Sequence, residues 1–254
     1  LQHNGSGLRT PRPFPLFLDM VARVAQHDPA LAERALAGVR AYAAAQRSVP
    51  ERRDETARAG RASLLSLGTG GPQVVLVPSL INPSRVLDLD ADRSLLKALA
   101  DHGFRVHLVD WGTPTMAERD ATLAMHITDL LLPLLDQIGE PVHLIGYCLG
   151  GTMAAAAATL WPVRSLTMLA SPWDFGGYPA EARKDLLSLW SQHSQAVDTL
   201  GLMPIEVLQT AFWSLDPTRT VSKFAALAGR EPDDPVLVGF AALEDWANEG
   251  APLT

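Results

Sequence analysis

The stretch that most constrains the fold is residues 142–160, VHLIGYCLGGTMAAAAATL. Val142, Leu144 and Ile145 make an apolar run of the kind a buried parallel strand shows, and the alanine-rich run that follows suits a helix. Between them lies Gly146-Tyr147-Cys148-Leu149-Gly150-Gly151, and Cys148 is the only cysteine in the chain. A strand that turns straight into a helix forces its middle residue into a strained backbone conformation. The positions two residues to either side must then be almost free of side chain. Gly146 and Gly150 meet that need, so the pattern predicts a single sulfur raised at the carboxyl edge of a sheet.

The rest of the chain can supply such a sheet. At 254 residues with 47% hydrophobic content it can bury a sizeable core, most simply as one domain with a lid. A formal net charge of −7, a pI near 5.5 and scattered arginines argue against a nucleic-acid partner. One cysteine cannot make an internal disulfide, which suits a reducing compartment, and the cytoplasm is the expected location. Arg9, Arg12, Asp19 and Arg23 interrupt any apolar run in the first thirty residues, so no secretory signal is read there. Residues 141–163 carry no Lys, Arg, Asp or Glu and are long enough to span a bilayer. The glycine cluster in their middle would leave backbone groups unsatisfied in lipid, so the segment reads as soluble.

In chain order, residues 1–15 are rich in Gly, Pro and Arg and read as an extended arm. Phe17, Met20, Val21 and Val24 fall at helical spacing, and Pro29 opens a second helix towards Gln46. Residues 48–61 are charged and read as a solvated connection. Strands are predicted at 62–67, 74–77, 105–109, 142–145 and 165–169. Helices are predicted at 92–102, at 117–138 with a bend near Pro133, and after the elbow to about Trp161. Residues 235–240 are the one further stretch with strand character, in helical surroundings. Alternating strands and helices predict a mostly parallel sheet with flanking helices. The division expected is an N-terminal arm and helices (1–61), an α/β core (62–175) and a helical cap (176–254).

Active sites in such sheets lie at the carboxyl ends of the strands. Here those ends lead into Pro78-Ser79-Leu80-Ile81, Asp110-Trp111-Gly112 and Ser171-Pro172-Trp173-Asp174. The 146–150 pattern is the nucleophile elbow of the α/β-hydrolase fold, G-x-S-x-G, with cysteine in place of serine. The oxyanion hole of that elbow takes one backbone N–H from the residue after the nucleophile, here Leu149, and one from an earlier strand-to-helix loop, for which Leu80 or Ile81 is the candidate. The helix that starts after Cys148 turns its positive end towards the sulfur, an environment that suits an attacking thiolate. A general base is harder to find. His193 is the only histidine after the nucleophile and lies in a stretch that reads as lid helix. His107 and His143 lie within strands and His126 on a long helix, where packing roles are expected. Asp110 and Asp174 sit at strand ends, where capping is the expected role. No histidine and carboxylate spacing suggests a metal site.

These residues resemble the polyhydroxyalkanoate synthases, whose synthase box is G-x-C-x-G-G within an α/β-hydrolase fold. The likeness continues through Val77-Pro78, Ile81-Asn82, Leu87-Asp88-Leu89, Asp92-Arg93-Ser94-Leu95, Val109-Asp110-Trp111-Gly112 and Ser171-Pro172-Trp173-Asp174-Phe175. Phe212-Trp213-Ser214-Leu215-Asp216-Pro217 and Glu244-Asp245-Trp246 resemble pieces of the family's cap. The resemblance implies an acyltransferase in polyhydroxyalkanoate biosynthesis. Cys148 would take a hydroxyacyl group from a CoA thioester as a covalent acyl-enzyme and pass it to a growing polyester, with no cofactor beyond that substrate.

The short N-terminal part resembles the smaller synthases that work with a second subunit. Oligomerisation, a partner subunit and a place at polyester granules are the corresponding expectations. The alternatives are a thioesterase or polyester depolymerase, or a noncatalytic or truncated relative. The family's acid and Gly-His do not appear after Ala170, so the C-terminal part of the core is expected to be missing: the simplest account puts acid and base beyond Thr254, the others being a relative without catalysis and a site completed by another chain. Acyl chain length is not legible.

Overall fold

The computed structural model describes residues 9–250, and of residues 214 and 215 only the backbone. Part of the expected 1–15 arm, and the end at Pro252-Leu253-Thr254, lie outside the described residues. The chain runs through α1 (Phe14–Ala25), α2 (Pro29–Ala44), β1 (Asp54–Ala59), β2 (Ala62–Leu67), β3 (Gln73–Val77), β4 (Asp88–Asp90), β5 (Arg93–Ser94), α3 (Leu95–Asp101) and β6 (Arg105–Asp110). It continues with α4 (Leu123–Met125), a π-helical turn at His126–Leu131, α5 (Leu132–Ile138), β7 (Val142–Tyr147), α6 (Leu149–Leu160) and β8 (Val163–Leu169). Four helices follow: α7 (Ala180–Leu200), α8 (Ile205–Leu215), α9 (Pro217–Ala225) and α10 (Pro235–Asn248).

The six-stranded sheet has the order β1-β2-β6-β3-β7-β8. Strands β6, β3, β7 and β8 are parallel, while β2 pairs antiparallel with β6 and with β1. β3 is apolar without interruption because both faces of the sheet are covered. Val75 and Val77 face Leu131, Leu134, Leu135, Met153 and Ala157, whereas Val74 and Leu76, beside Leu108 of β6, face Leu96. This is the predicted α/β architecture.

Several local expectations change. Residues 54–59, read as part of a solvated connection, form the edge strand β1, whose Ala57 and Ala59 pack inward while charged neighbours point out. The helix expected from residue 92 begins at Leu95, because Ser94 caps it by accepting the Lys97 N–H at 2.8 Å and the residues before it form the β4–β5 pair. The helix expected over 117–138 has its irregularity at the π turn just before Pro133, which cannot donate a backbone hydrogen bond. Residues 235–240 are helical, within α10, where Asp234 accepts the Val236 and Leu237 N–H groups at 2.8 and 3.2 Å. Among the described residues no strand follows Leu169. β8 is therefore an edge strand, with Leu166, Met168 and Leu169 36–38% exposed.

The chain forms two compact units: one joins the residues up to Ser48 with Glu206–Asn248, and the other is Val49–Ile205 with the residues from Glu249. This grouping differs from the three-part division read from the sequence, because α2 packs on α9. At Gly38 an added Cβ would meet the Phe224 carbonyl oxygen and lie 2.6 Å from its carbon, so only glycine permits this approach. Around the crossing, Phe17, Tyr42, Phe224 and Phe240 make edge-to-face contacts at centroid distances of 5.0–6.1 Å. Asp245 joins α10 to α2, accepting from the Tyr42 hydroxyl and the Arg47 guanidinium at 2.6 Å each. Glu244 is buried against Lys223 at 2.7 Å, and burial raises its pKa. The Glu244-Asp245 motif thus has a structural use in this unit.

His107 on β6 is 3% exposed, hydrogen-bonded to Ser66 Oγ at 2.6 Å and to Gln73 Oε1 at 2.8 Å. Burial, with Arg105 nearby, lowers its pKa from 6.5 to about 4. The unfolded chain therefore binds the extra proton between these values, and stability is expected to fall as pH drops from 6.5 towards 4. Urea midpoints at pH 7 and pH 4.5, compared with those of His107→Gln, test this. A fall of the same size in the variant would assign the loss to other groups.

Candidate active site

β7 delivers the chain to Cys148, which has φ 54° and ψ −131° and is the N-cap of α6. A non-glycine residue with φ in this region is strained, and such strain persists only where the surroundings enforce it. Here the enforcement is visible. The Cys148 N–H donates to the Leu169 carbonyl at 2.9 Å, and the Gly151 N–H returns to the Cys148 carbonyl at 2.9 Å. Each glycine of the motif meets backbone or a fixed side chain. A Cβ on Gly146 would lie 2.7 Å from the Gly151 nitrogen. One on Gly150 would strike the Val77 and Pro78 carbonyl oxygens, with the Pro78 carbonyl carbon 2.6 Å away. One on Gly151 would strike Ser171 Oγ. The sulfur-bearing residue itself is half-buried.

Of the strand-end loops beside the elbow, the one after β8 is latched to it and the one after β3 is latched to the end of β6. Thr152 Oγ1 on α6 donates to the Pro172 carbonyl at 2.5 Å, and Ser171 Oγ donates to the Leu169 carbonyl at 3.3 Å and to Gly146 O at 3.5 Å. Ala170, between them, has φ 49°. On the other side, the Trp111 indole N–H donates to the Pro78 carbonyl at 2.9 Å.

Leu149 is the first helical residue of α6, so its N–H has no partner within the helix, and among the described residues no acceptor takes it. Of the other two expected donors, the Ile81 N–H is given to Ser79 Oγ at 3.2 Å. Among the described residues no acceptor takes the Leu80 N–H. Leu80 is therefore the available one. Tyr147, next to Cys148, has its pKa raised, first by burial and then by that neighbour.

Among the described residues no imidazole hydrogen-bonds to Cys148. His126 accepts from Arg61 at 2.6 Å through Nε2 and donates from Nδ1 to the Thr122 carbonyl at 2.8 Å. His143 pairs with Ser165 Oγ at 2.8 Å, and His193 lies half-buried on α7. Asp110 accepts the Gly112 N–H at 3.1 Å and Asp174 accepts the Gly176 N–H at 3.0 Å, so both shape turns. No group of three metal-ligating side chains occurs among the described residues. The Trp111–Pro78 and Thr152–Pro172 bonds were not legible in the sequence. They join residues 33 and 20 positions apart, and the only local hint was the position of each partner at a strand end.

The profile described as "Alpha/beta hydrolase family" matches residues 74–253. The chain belongs to the alpha/beta hydrolase family. Its curated relatives include the poly(3-hydroxyalkanoate) polymerase subunit PhaC of Haloferax mediterranei, 30% identical over 190 residues that make up 70% of this chain and 38% of the relative. The subunit of the same name from Allochromatium vinosum is 33% identical over 193 residues, 70% of this chain and 53% of the relative. That of Thiocystis violacea is 32% identical over 184 residues, covering 68% and 50%. These matches bear out the resemblance read from the synthase box. The chain spans about half the length of these relatives, or less.

Proposed function

We propose that this alpha/beta hydrolase acts as an acyltransferase of the polyhydroxyalkanoate synthase type, with Cys148 as acyl carrier. The observation that carries the reading is the elbow itself: a cysteine held at φ 54° at the start of α6, with the Leu149 N–H free beside it. The sulfur attacks the thioester carbonyl of a hydroxyacyl-CoA. The new C–S bond forms as the bond to CoA breaks, and CoA leaves as its thiol with the proton the cysteine gives up. A hydroxyl at the end of the growing polyester then attacks the acyl-enzyme, forms an ester and returns the proton to Cys148. In the tetrahedral steps the oxyanion lies between the N–H groups of Leu149 and Leu80, where fixed donors stabilise developing charge. The thioester supplies an already activated acyl group, so the scheme calls for no cofactor.

The polymerase names of the relatives favour transfer to polymer over hydrolysis, and the word "subunit" in them motivates a second synthase subunit as partner. Work at a polyester granule in the cytoplasm fits the same reading, and no helix among the described residues is long and apolar enough to cross a membrane. Incubation with 3-hydroxybutyryl-CoA, followed by CoA release and product analysis, tests the proposal. Chloroform-soluble polyester is the expected product. Release of CoA with free hydroxy acid alone would assign the chain to the thioesterases instead.

A further inference from the structure

The oxyanion loop is held in place from a third strand. The Pro78 carbonyl is enclosed on one side by Gly150, against which it packs too closely for any side chain, and on the other by the indole of Trp111, which is 5% exposed and donates to it at 2.9 Å. Trp111 is itself fixed at two points. Arg61 Nη1 donates to its carbonyl, and its ring and that of His126 pack edge to face at a centroid distance of 6.3 Å and an interplanar angle of 76°. Arg61 in turn donates to Glu118 Oε1 at 2.9 Å, to Gly112 O at 3.2 Å and to His126 at 2.6 Å. A planar peptide links the Pro78 carbonyl rigidly to the next N–H, so fixing that oxygen sets the direction in which the chain leaves towards Leu80. The Ile81 N–H to Ser79 Oγ bond then sets the turn beyond it.

We propose that Trp111 is a positioning residue for acyl transfer: its indole N–H anchors the Pro78 carbonyl and thereby holds the Leu80 N–H as the second oxyanion donor. This rests on the reading of Cys148 as acyl carrier. Without the indole N–H, the enclosed carbonyl has no other donor among the described residues, and the loop relieves that cost by moving.

Two variants test it: Trp111→Phe, which keeps an aromatic ring against His126, and replacement of Trp111 by benzothienylalanine, which keeps the shape and substitutes sulfur for N–H. Two reactions of Cys148 are compared. Acylation by 3-hydroxybutyryl-CoA passes through an oxyanion. Alkylation by iodoacetamide forms a C–S bond and expels iodide without one. Acylation is expected to slow about 10–100-fold, since loss of a whole oxyanion donor costs about 10²–10³-fold. Alkylation is expected to stay within about twofold, because the thiol itself is untouched. Unchanged acylation, or an equal fall in both rates, overturns the proposal.

Amide exchange keeps the test independent of the proposed activity. Exchange at residues 79–81 is expected to rise about tenfold or more while β3 and β6 keep their protection. If the unsubstituted chain is alkylated but never acylated, the acyltransferase reading fails by itself. Unaltered exchange at residues 79–81 would then refute the anchoring role as well.

Discussion

Cys148→Ala is expected to abolish acyl-enzyme formation and to lower turnover of a hydroxyacyl-CoA by about 10⁴-fold or more, the usual scale for loss of a covalent nucleophile. The substitution is expected to leave the fold intact. Alanine must adopt the same φ of 54°, and no hydrogen bond of the Cys148 side chain occurs among the described residues. Stability is expected to change by less than about 1 kcal/mol, measured by urea unfolding, so the loss of activity is chemical. Cys148→Ser sharpens the result. A serine hydroxyl lacks the acidity and intrinsic nucleophilicity of a thiol, and among the described residues no imidazole hydrogen-bonds to position 148 to activate it. The serine variant should therefore be almost as inactive as the alanine one. Retention of most activity in either variant would place the chemistry elsewhere.

Asp88→Ala is expected to produce the largest loss of stability, about 3–5 kcal/mol, because it strips the buried, bidentate partner from a buried cation. Arg53 and Asp88 have side chains only 7% and 8% exposed, and the guanidinium spans both carboxylate oxygens at 2.8 and 2.9 Å. Asp88 holds the Arg53 guanidinium firmly protonated, and the Ser94 hydroxyl adds a third hydrogen bond at 2.5 Å. Glu51, 44% exposed, remains to Arg53 in the variant and keeps the loss near the lower end of that range. Thermal unfolding should shift down by on the order of 10 °C. The double substitution Arg53→Met/Asp88→Leu should recover much of it, since apolar residues can replace a buried ion pair at little cost. A loss below about 1 kcal/mol for Asp88→Ala would show that water replaces the carboxylate at this site.

The same aspartate illustrates what the sequence could and could not disclose. Leu87-Asp88-Leu89 and Asp92-Arg93-Ser94-Leu95 stood out by resemblance, yet their polar groups tie β4 and β5 to Arg53 and cap α3. Partners 35 residues apart leave no local trace. The elbow was legible because its demands are local: φ above zero at Cys148 and closely approached glycines within three residues. β3 was legible because burial on both faces requires an unbroken apolar run. β1 was hidden because an exposed edge strand needs only alternate small residues, here Ala57 and Ala59 among charges. Strand character at 235–240 gave way to helix because Asp234 caps the segment and Leu237 and Ala241 pack on the helical core. The grouping of α2 with α9 depends on the contact of Gly38 with Phe224, which no periodicity reports.

Mass spectrometry after brief exposure to 3-hydroxybutyryl-CoA tests the role of Cys148 most directly. The expected result is one hydroxyacyl group per chain, formed in step with CoA release, carried by the peptide that contains Cys148, labile to hydroxylamine and absent from Cys148→Ala. A Cys148 that iodoacetamide alkylates but that never carries an acyl group, or an acyl group found on another residue, would contradict it.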